Sequence, residues 1–257
     1  MRLDNYLAEK GYFDSRTKAK QAIERGEIFI NKVKITKPAF EIDNDDVLIE
    51  YIFEKSYVSL GGYKLEKGLK DLNVCVNGLT VADIGASTGG FTHCLLQNGA
   101  KKVYAIDLND DLLHQSLKQD SRVKPIIKNV KNLSADDFGE KLDFIVGDLS
   151  FISITQVIPI LSKLIDNHKQ MMLLIKPQFE TGERKKFKNG IIRDKSIHKK
   201  VCENVIEVAK NYSLNFVGIT SAPISQDKNT EFLILLEKAD KYLKFEIIYF
   251  ATINYVH

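Results

Sequence analysis

The apolar run Leu79-Thr80-Val81-Ala82 passes directly into Asp83-Ile84-Gly85-Ala86-Ser87-Thr88-Gly89-Gly90-Phe91, after which Phe91, Leu95 and Leu96 recur at helical spacing. Strand, glycine turn and helix in that order define a crossover of an α/β sheet. Glycines at such a turn let a ligand approach bare backbone, and the helix N-terminus offers unpaired N–H groups. The following apolar run, Val103-Tyr104-Ala105-Ile106, ends in Asp107, placed to accept hydrogen bonds from ribose hydroxyls. Together these segments predict a nucleoside-cofactor pocket built from Asp83, Gly85, Ala86, Ser87, Thr88, Gly89, Phe91 and Asp107.

The turn departs from the dinucleotide fingerprint G-x-G-x-x-G, because Ser87 stands where the middle glycine belongs. A pyrophosphate then has less room against the backbone. S-adenosylmethionine carries no phosphate, and its ammonium needs a nearby carboxylate, which Asp83 supplies directly or through water. The turn favours S-adenosylmethionine, with a dinucleotide and a plain structural turn as the remaining readings.

Beyond the turn, strand and helix patterns alternate. Strands are expected near 79–84, 102–107, 123–127, 142–147, 171–176, 215–220 and 231–237, and helices near 62–72, 89–98, 109–118, 151–166 and 196–211. This predicts a doubly wound, Rossmann-like α/β sheet, preceded by a small α+β domain. Four ionisable residues punctuate it. Asp148 and Lys176 each end a strand, and Lys64 follows Gly61-Gly62-Tyr63 at the start of a helix. Glu231 opens a strand read as antiparallel, which puts its first residue on the rim where parallel neighbours end. Any one of these is ordinarily a solvated strand terminus. Four on one rim beside a cofactor turn suit methyl transfer to a hydroxyl, which needs in-line approach and removal of a proton. A lysine serves as base once burial and a neighbouring cation favour its neutral form. Lys176 is the expected base, Asp148 its orienting partner, and Lys64 and Glu231 clamps on the substrate ribose and the lysine. No cysteine, histidine or acid spacing predicts a metal site.

The expected organisation is an RNA-binding domain over 1–53, a linker over 54–60, a methyltransferase domain over 61–238 and a tail over 239–257. In the first of these, Leu3 and Leu7 mark a short helix stopped at Gly11. Ser15 caps a second helix ended by Gly26, and Ile28-Phe29-Ile30 and Val33-Lys34-Ile35 form a hairpin. From Arg16 to Lys37 there are seven Lys or Arg against two Glu, whereas Glu41 to Glu50 holds five acids and no base. So segregated a cluster suits a phosphate backbone. A second basic stretch, Arg184-Lys185-Lys186-Phe187-Lys188, follows Lys176, and Arg184 and Lys186 are candidate RNA contacts there.

Two resemblances sharpen these expectations. Arg2-Leu3-Asp4, Ser15-Arg16, Ala19, Ile23, Gly26, Ile30-Asn31 and Lys37-Pro38 resemble the S-four-like RNA-binding fold, which implies phosphate contacts at Arg2, Arg16 and Lys20. Gly85-Ala86-Ser87-Thr88-Gly89-Gly90-Phe91-Thr92, Gly147-Asp148-Leu149-Ser150-Phe151-Ile152-Ser153 and Lys176-Pro177-Gln178-Phe179-Glu180 resemble the TlyA (hemolysin A) family of FtsJ-like ribosomal RNA methyltransferases. That resemblance implies transfer from S-adenosylmethionine to the 2′-hydroxyl of a cytidine in an assembled ribosomal subunit. Its catalytic tetrad falls on Lys64, Asp148, Lys176 and Glu231, and Asn129 is implied as a cofactor contact. Asn129-Val130-Lys131 stands where Asn-x-Arg is usual. The short leader before Leu3 resembles the shorter form of the family, associated with large-subunit RNA.

Composition limits the rivals. A net charge of +3 leaves nucleic-acid attraction to local patches. Three scattered cysteines, expected as reduced buried thiols, together with an acidic N-terminus, fit a cytoplasmic protein. No apolar run approaches the ~18–20 residues that span a bilayer, so a membrane-active hemolysin has little support. A base amino-group methyltransferase is echoed faintly by Asp148-Leu149-Ser150-Phe151, without the prolines of D-P-P-Y. A cytosine-carbon methyltransferase lacks its nucleophilic Cys, and a non-catalytic RNA-binding module leaves the turn and tetrad unexplained.

Overall fold

The structure, a computed structural model, describes residues 1–13, 15–42, 49–51, 57–182, 187, 190–223 and 228–239. The chain divides into two compact units, Met1–Ser56 and Tyr57–His257.

In the first unit, helix α1 (Leu3–Glu9) gives way to Gly11 in the left-handed region. Helix α2 (Arg16–Arg25) starts where the Ser15 side chain accepts the Lys18 N–H and stops at left-handed Gly26. Strands β1 (Ile28–Ile30) and β2 (Val33–Ile35) pair antiparallel around Asn31 and Lys32, both with positive φ, as a tight hairpin requires. A third strand, β3 (Ile49–Tyr51), pairs on the other side of β1 and lies within the acidic segment. The core is Leu3, Leu7, Ala19, Ala22, Ile23 and Ile28, all fully buried.

The second unit is built on a seven-stranded sheet of order β6-β5-β4-β7-β8-β10-β9. The strands are β4 (Thr80–Ile84), β5 (Lys102–Asp107), β6 (Val123–Ile127), β7 (Leu142–Gly147), β8 (Ile165–Ile175), β9 (Leu214–Ser221) and β10 (Phe232–Lys238). β10 runs antiparallel to both its neighbours, and the pairs among β4 to β8 are parallel. Alternate residues serve opposite faces. Ile145, Met171, Leu173 and Ile234 pack with Val201, Val205 and Ile206 of helix α8 (Lys195–Lys210), while Phe144, Met172, Leu174 and Leu233 pack with Leu65 of α3 (Leu60–Asp71) and Leu95 of α4 (Gly90–Gln97). Burial on both faces explains the near-continuous apolar runs of these strands.

Two expected helices are far shorter than the pattern implied. Over 109–118 only α5 (Gln115–Lys118) forms, because the His114 side chain accepts the Ser116 N–H and caps a single turn. Over 151–166, Phe151 takes a φ of 66° and Ser153 caps the 3-10 turn Ile154–Gln156. Helix α6 (Ile158–Leu161) follows, and β8 already begins at Ile165. Helix α7 (Pro177–Glu180) opens on proline just after Lys176. Cys94 and Cys202 are buried but Cys75 is exposed, contrary to the expectation for all three thiols. The tail beyond Ala239 lies outside the described residues.

Candidate active site

The glycine turn is held against its neighbours by backbone. Gly85 and Ala86 both donate to the Ile106 carbonyl, at 2.8 and 3.0 Å, and Gly89 donates to Ala86 at 2.7 Å. Gly85 has φ 83°, and a Cβ there would stand 3.0 Å from the Asp148 carbonyl oxygen. Gly89 has φ 90° and a Cβ there would collide with Leu117, so glycine is required twice over. Asp107 at the end of β5 accepts the Ser87 N–H at 2.8 Å and the Leu108 N–H at 2.7 Å. Its oxygens keep further lone pairs for a diol. Asn129 is exposed and accepts the Lys131 N–H at 2.9 Å.

Asp83 is fully buried at the end of β4. Its Oδ2 accepts the Thr92 hydroxyl at 2.7 Å, whereas Oδ1 has no hydrogen-bond partner. Burial, aided by the nearby Asp148 and Asp107 charges, pushes this carboxyl up to about 7. A buried carboxylate oxygen left unsatisfied beside an open glycine turn fits a ligand that brings a cation. The ammonium of S-adenosylmethionine is such a group, so the residues present fit that cofactor. Thr92 escaped the sequence reading of the site, although it closes the very string that marks the turn.

Four ionisable side chains meet on the rim. The β10–β8 register pairs Phe232 with Ile175, and the antiparallel course of β10 carries Glu231 back beside Lys176. Likewise, pairing of Ile84 with Gly147 brings Gly85 beside Asp148. From α3, Lys64 Nζ lies 2.6 Å from Glu231 Oε2 and 3.8 Å from Asp148 Oδ2. Lys176 Nζ lies 2.6 Å from Asp148 Oδ1 and donates to Ser150 Oγ at 2.8 Å. Acid and amine alternate along the line Glu231, Lys64, Asp148, Lys176. The Lys176 side chain is only 9% exposed, so its partners replace solvent almost completely. The segments that carry Asp148 and Lys176 are also fastened together. Glu180 of α7 accepts the Ser153 hydroxyl and, at 2.9 Å, the Ile154 N–H. Burial pushes the Glu180 carboxyl upward. Phe151, 84% exposed, packs its ring 5.3 Å from that of Phe179. Ser150 and Phe151 stand in the string around Asp148, but the sequence reading gives neither a role of its own.

In the first unit, Arg2 and Arg16 do not stand free. Arg2 donates to both Asp4 oxygens, at 3.1 and 3.0 Å, and Arg16 donates to Oδ2 at 3.0 Å. Both guanidinium side chains remain about half exposed. Lys20 lies 3.7 Å from Glu24, one helical turn on. Arg184 and Lys186 lie outside the described residues. No helix among the described residues is long and apolar enough to cross a membrane, and no group of three or more His, Cys, Asp or Glu among them is arranged to hold a metal.

The FtsJ-like methyltransferase profile matches residues 57–238. The chain belongs to the FtsJ-like methyltransferase family. The S4 domain profile matches residues 1–48. Over 236 residues this FtsJ-like methyltransferase is 42% identical to Hemolysin A of Brachyspira hyodysenteriae, covering 91% of this chain and 98% of that protein. It is 32% identical over 238 residues to 16S/23S rRNA (cytidine-2'-O)-methyltransferase TlyA of Mycobacterium tuberculosis, covering 91% of this chain and 89% of that one. A solved structure from Streptococcus thermophilus, provisionally named a hemolysin, has a TM-score of 0.69 at 40% identity, covering 94% of this chain and 90% of that one. As an FtsJ-like methyltransferase the chain is an enzyme that uses S-adenosylmethionine.

Proposed function

We propose that this chain methylates the 2′-hydroxyl of a cytidine in ribosomal RNA within an assembled subunit, with large-subunit RNA as the expected target. The observation that carries this reading is the alternating line of two carboxylates and two amines beside the glycine turn. When bound, S-adenosylmethionine would supply an electrophilic methyl group, whose bond to sulfur breaks, the electron pair staying on sulfur, as the ribose oxygen bonds the carbon. Asp83 would hold its ammonium end, Asp107 its ribose, and Asn129 its adenine side. Lys176 takes the proton of the substrate hydroxyl, which leaves an ammonium stabilised by Asp148. Lys64, drawn between Glu231 and Asp148, presents its charge to the substrate ribose and holds Glu231 in place. Asp148-Leu149-Ser150-Phe151 lacks the prolines of an amine-binding D-P-P-Y loop, and among the described residues no cysteine belongs to this set.

The S4 unit supplies binding. Arg2 and Arg16, held in fixed geometry by Asp4, and Lys20 present charge to phosphates, and Arg184 and Lys186 extend that role to the catalytic unit. The named relative acts on rRNA cytidine, in keeping with this assignment. Such a substrate places the protein in the cytoplasm. Small and large subunits from a strain lacking this enzyme, incubated separately with radiolabelled S-adenosylmethionine and then mapped by nuclease digestion, test the proposal. Label on a cytidine ribose is the expected result. Label on a base amino group, or none on either subunit, overturns it.

A further inference from the structure

The Lys176 amine is held by two contacts of different kinds. Asp148 Oδ1 is close, at 2.6 Å, but lies off the hydrogen-bond direction. Such a contact supplies attraction and little orientation. The directed hydrogen bond from Nζ goes instead to Ser150 Oγ, at 2.8 Å. Ser150 is itself exposed, with water available to its hydroxyl, whereas the Lys176 side chain is only 9% exposed and directs its hydrogen bond to that hydroxyl. The chain sets it over the lysine all the same. Phe151, immediately after it, adopts φ 66°, a conformation costing a bulky residue about 1–3 kcal/mol. The strain is held from both sides. The Asp148 N–H donates to the Ile84 carbonyl at 3.1 Å, and Glu180 clamps Ser153 and Ile154 to the helix that follows Lys176.

An ammonium has three N–H groups, and the neutral amine has two N–H groups and one lone pair. With Asp148 off the hydrogen-bond direction, the directed bond to Ser150 Oγ is what fixes rotation about the Cε–Nζ bond, and with it where the remaining positions on Nζ point. We infer that Ser150 is a positioning residue that fixes the rotation of the Lys176 amine, so that its lone pair faces the hydroxyl being methylated. In the step itself the hydroxyl oxygen would bond the methyl carbon as the sulfonium C–S bond breaks with its electron pair left on sulfur. The hydroxyl proton passes to the lone pair of Nζ, which becomes an ammonium while its N–H to Ser150 stays in place. This inference rests on the assignment of Lys176 as base.

The test compares Ser150→Ala, Ser150→Thr, Lys176→Ala and the double variant Ser150→Ala/Lys176→Ala, assayed for methyl transfer to ribosomal subunits. Cofactor affinity is measured in parallel by calorimetry. Ser150→Ala is expected to lower kcat by about 10- to 100-fold, with KM for the subunit and cofactor Kd within about twofold. Threonine keeps the hydroxyl and is expected to restore kcat to within about threefold of the parent. Ser150→Ala should cost nothing further once Lys176 is gone, since it acts through that amine. Unchanged kcat in Ser150→Ala beside an inactive Lys176→Ala overturns the positioning role and leaves the base assignment standing. A raised KM at constant kcat, or failure of threonine to rescue, overturns it equally. Full turnover by Lys176→Ala removes the base assignment itself.

Discussion

Asp4 in the first unit and Asp83 in the second are both buried acids, at 1% and 0% exposure, and the fold treats them oppositely. Asp4 accepts three hydrogen bonds from Arg2 and Arg16 and one from the Asn5 N–H. Those bonds, the Arg2 pair foremost, hold its carboxyl down at about 2. Asp83 accepts one hydroxyl, keeps one oxygen unpaired, and is driven up to about 7 by burial. A carboxylate the chain satisfies by itself stitches the fold. One it leaves unsatisfied beside open backbone awaits a charge from outside. The same contrast separates two sets of cations: Arg2 and Arg16 converge on one buried acid, whereas Lys64 and Lys176 alternate with two acids along the rim.

The largest expected effect tests the rim. Lys176→Ala should lower single-turnover methyl transfer by about 10²–10⁴-fold with cofactor affinity nearly unchanged, so persistent turnover would dissolve the contrast. Next come the two acids themselves. Asp83→Ala should weaken S-adenosylmethionine binding by on the order of 10²-fold in calorimetry. Asp4→Ala should leave that binding intact and cost about 2 kcal/mol in denaturant unfolding of the first unit. Equal effects of both substitutions on cofactor binding would erase the distinction.

The third test is pH. The Asp4 carboxyl is lowered from 3.8 to about 2, so its stabilisation is present above pH 3.8 and is lost as pH falls toward 2. The Asp83 carboxyl is raised from 3.8 to about 7, so the folded chain without cofactor loses stability as pH rises across that interval and changes little above it. Melting curves should show both slopes, and Asp83→Asn should abolish only the second. Cofactor affinity should climb over the same interval as Asp83 ionises, a trend absent from Asp83→Asn. The smallest effect belongs to Lys20→Gln. Its exposed pair with Glu24 contributes about 0.3–0.5 kcal/mol, yet subunit binding should lose about one unit of salt slope. An unchanged slope would remove Lys20 from the RNA face.

The strand ends and the reversal of β10 were legible because apolar runs stop at charged residues, and the reversal alone brings Glu231 to the rim. Ser15 and Gly26 marked the ends of α2 by cap chemistry. The failures have physical causes. The expected helix over 151–166 dissolves because Phe151 enters the left-handed region, and no pattern of apolar residues encodes that turn. The first half of β8 hid behind Asp166-Asn167-His168, polar residues on an exposed strand end. Strand β3 was masked by its acidic neighbours. The shared grip of Arg2 and Arg16 on Asp4 was hidden because it depends on a contact between Arg16 and Asp4, twelve positions apart. Ser150 was invisible as a partner of Lys176 because twenty-six residues separate them.

The reversed strand also sets the order in which a newly made polypeptide acquires its parts. The glycine turn at Gly85–Gly89 leaves the ribosome early, and the carboxylate that pairs with Lys64 emerges about 7–30 seconds later at ~5–20 residues per second. A chain cut short anywhere before Glu231 lacks both that carboxylate and the strand beside Lys176. Translation thus lays down the glycine turn well ahead of the last side chain of the rim, and the four ionisable residues can come together only once β10 has been made.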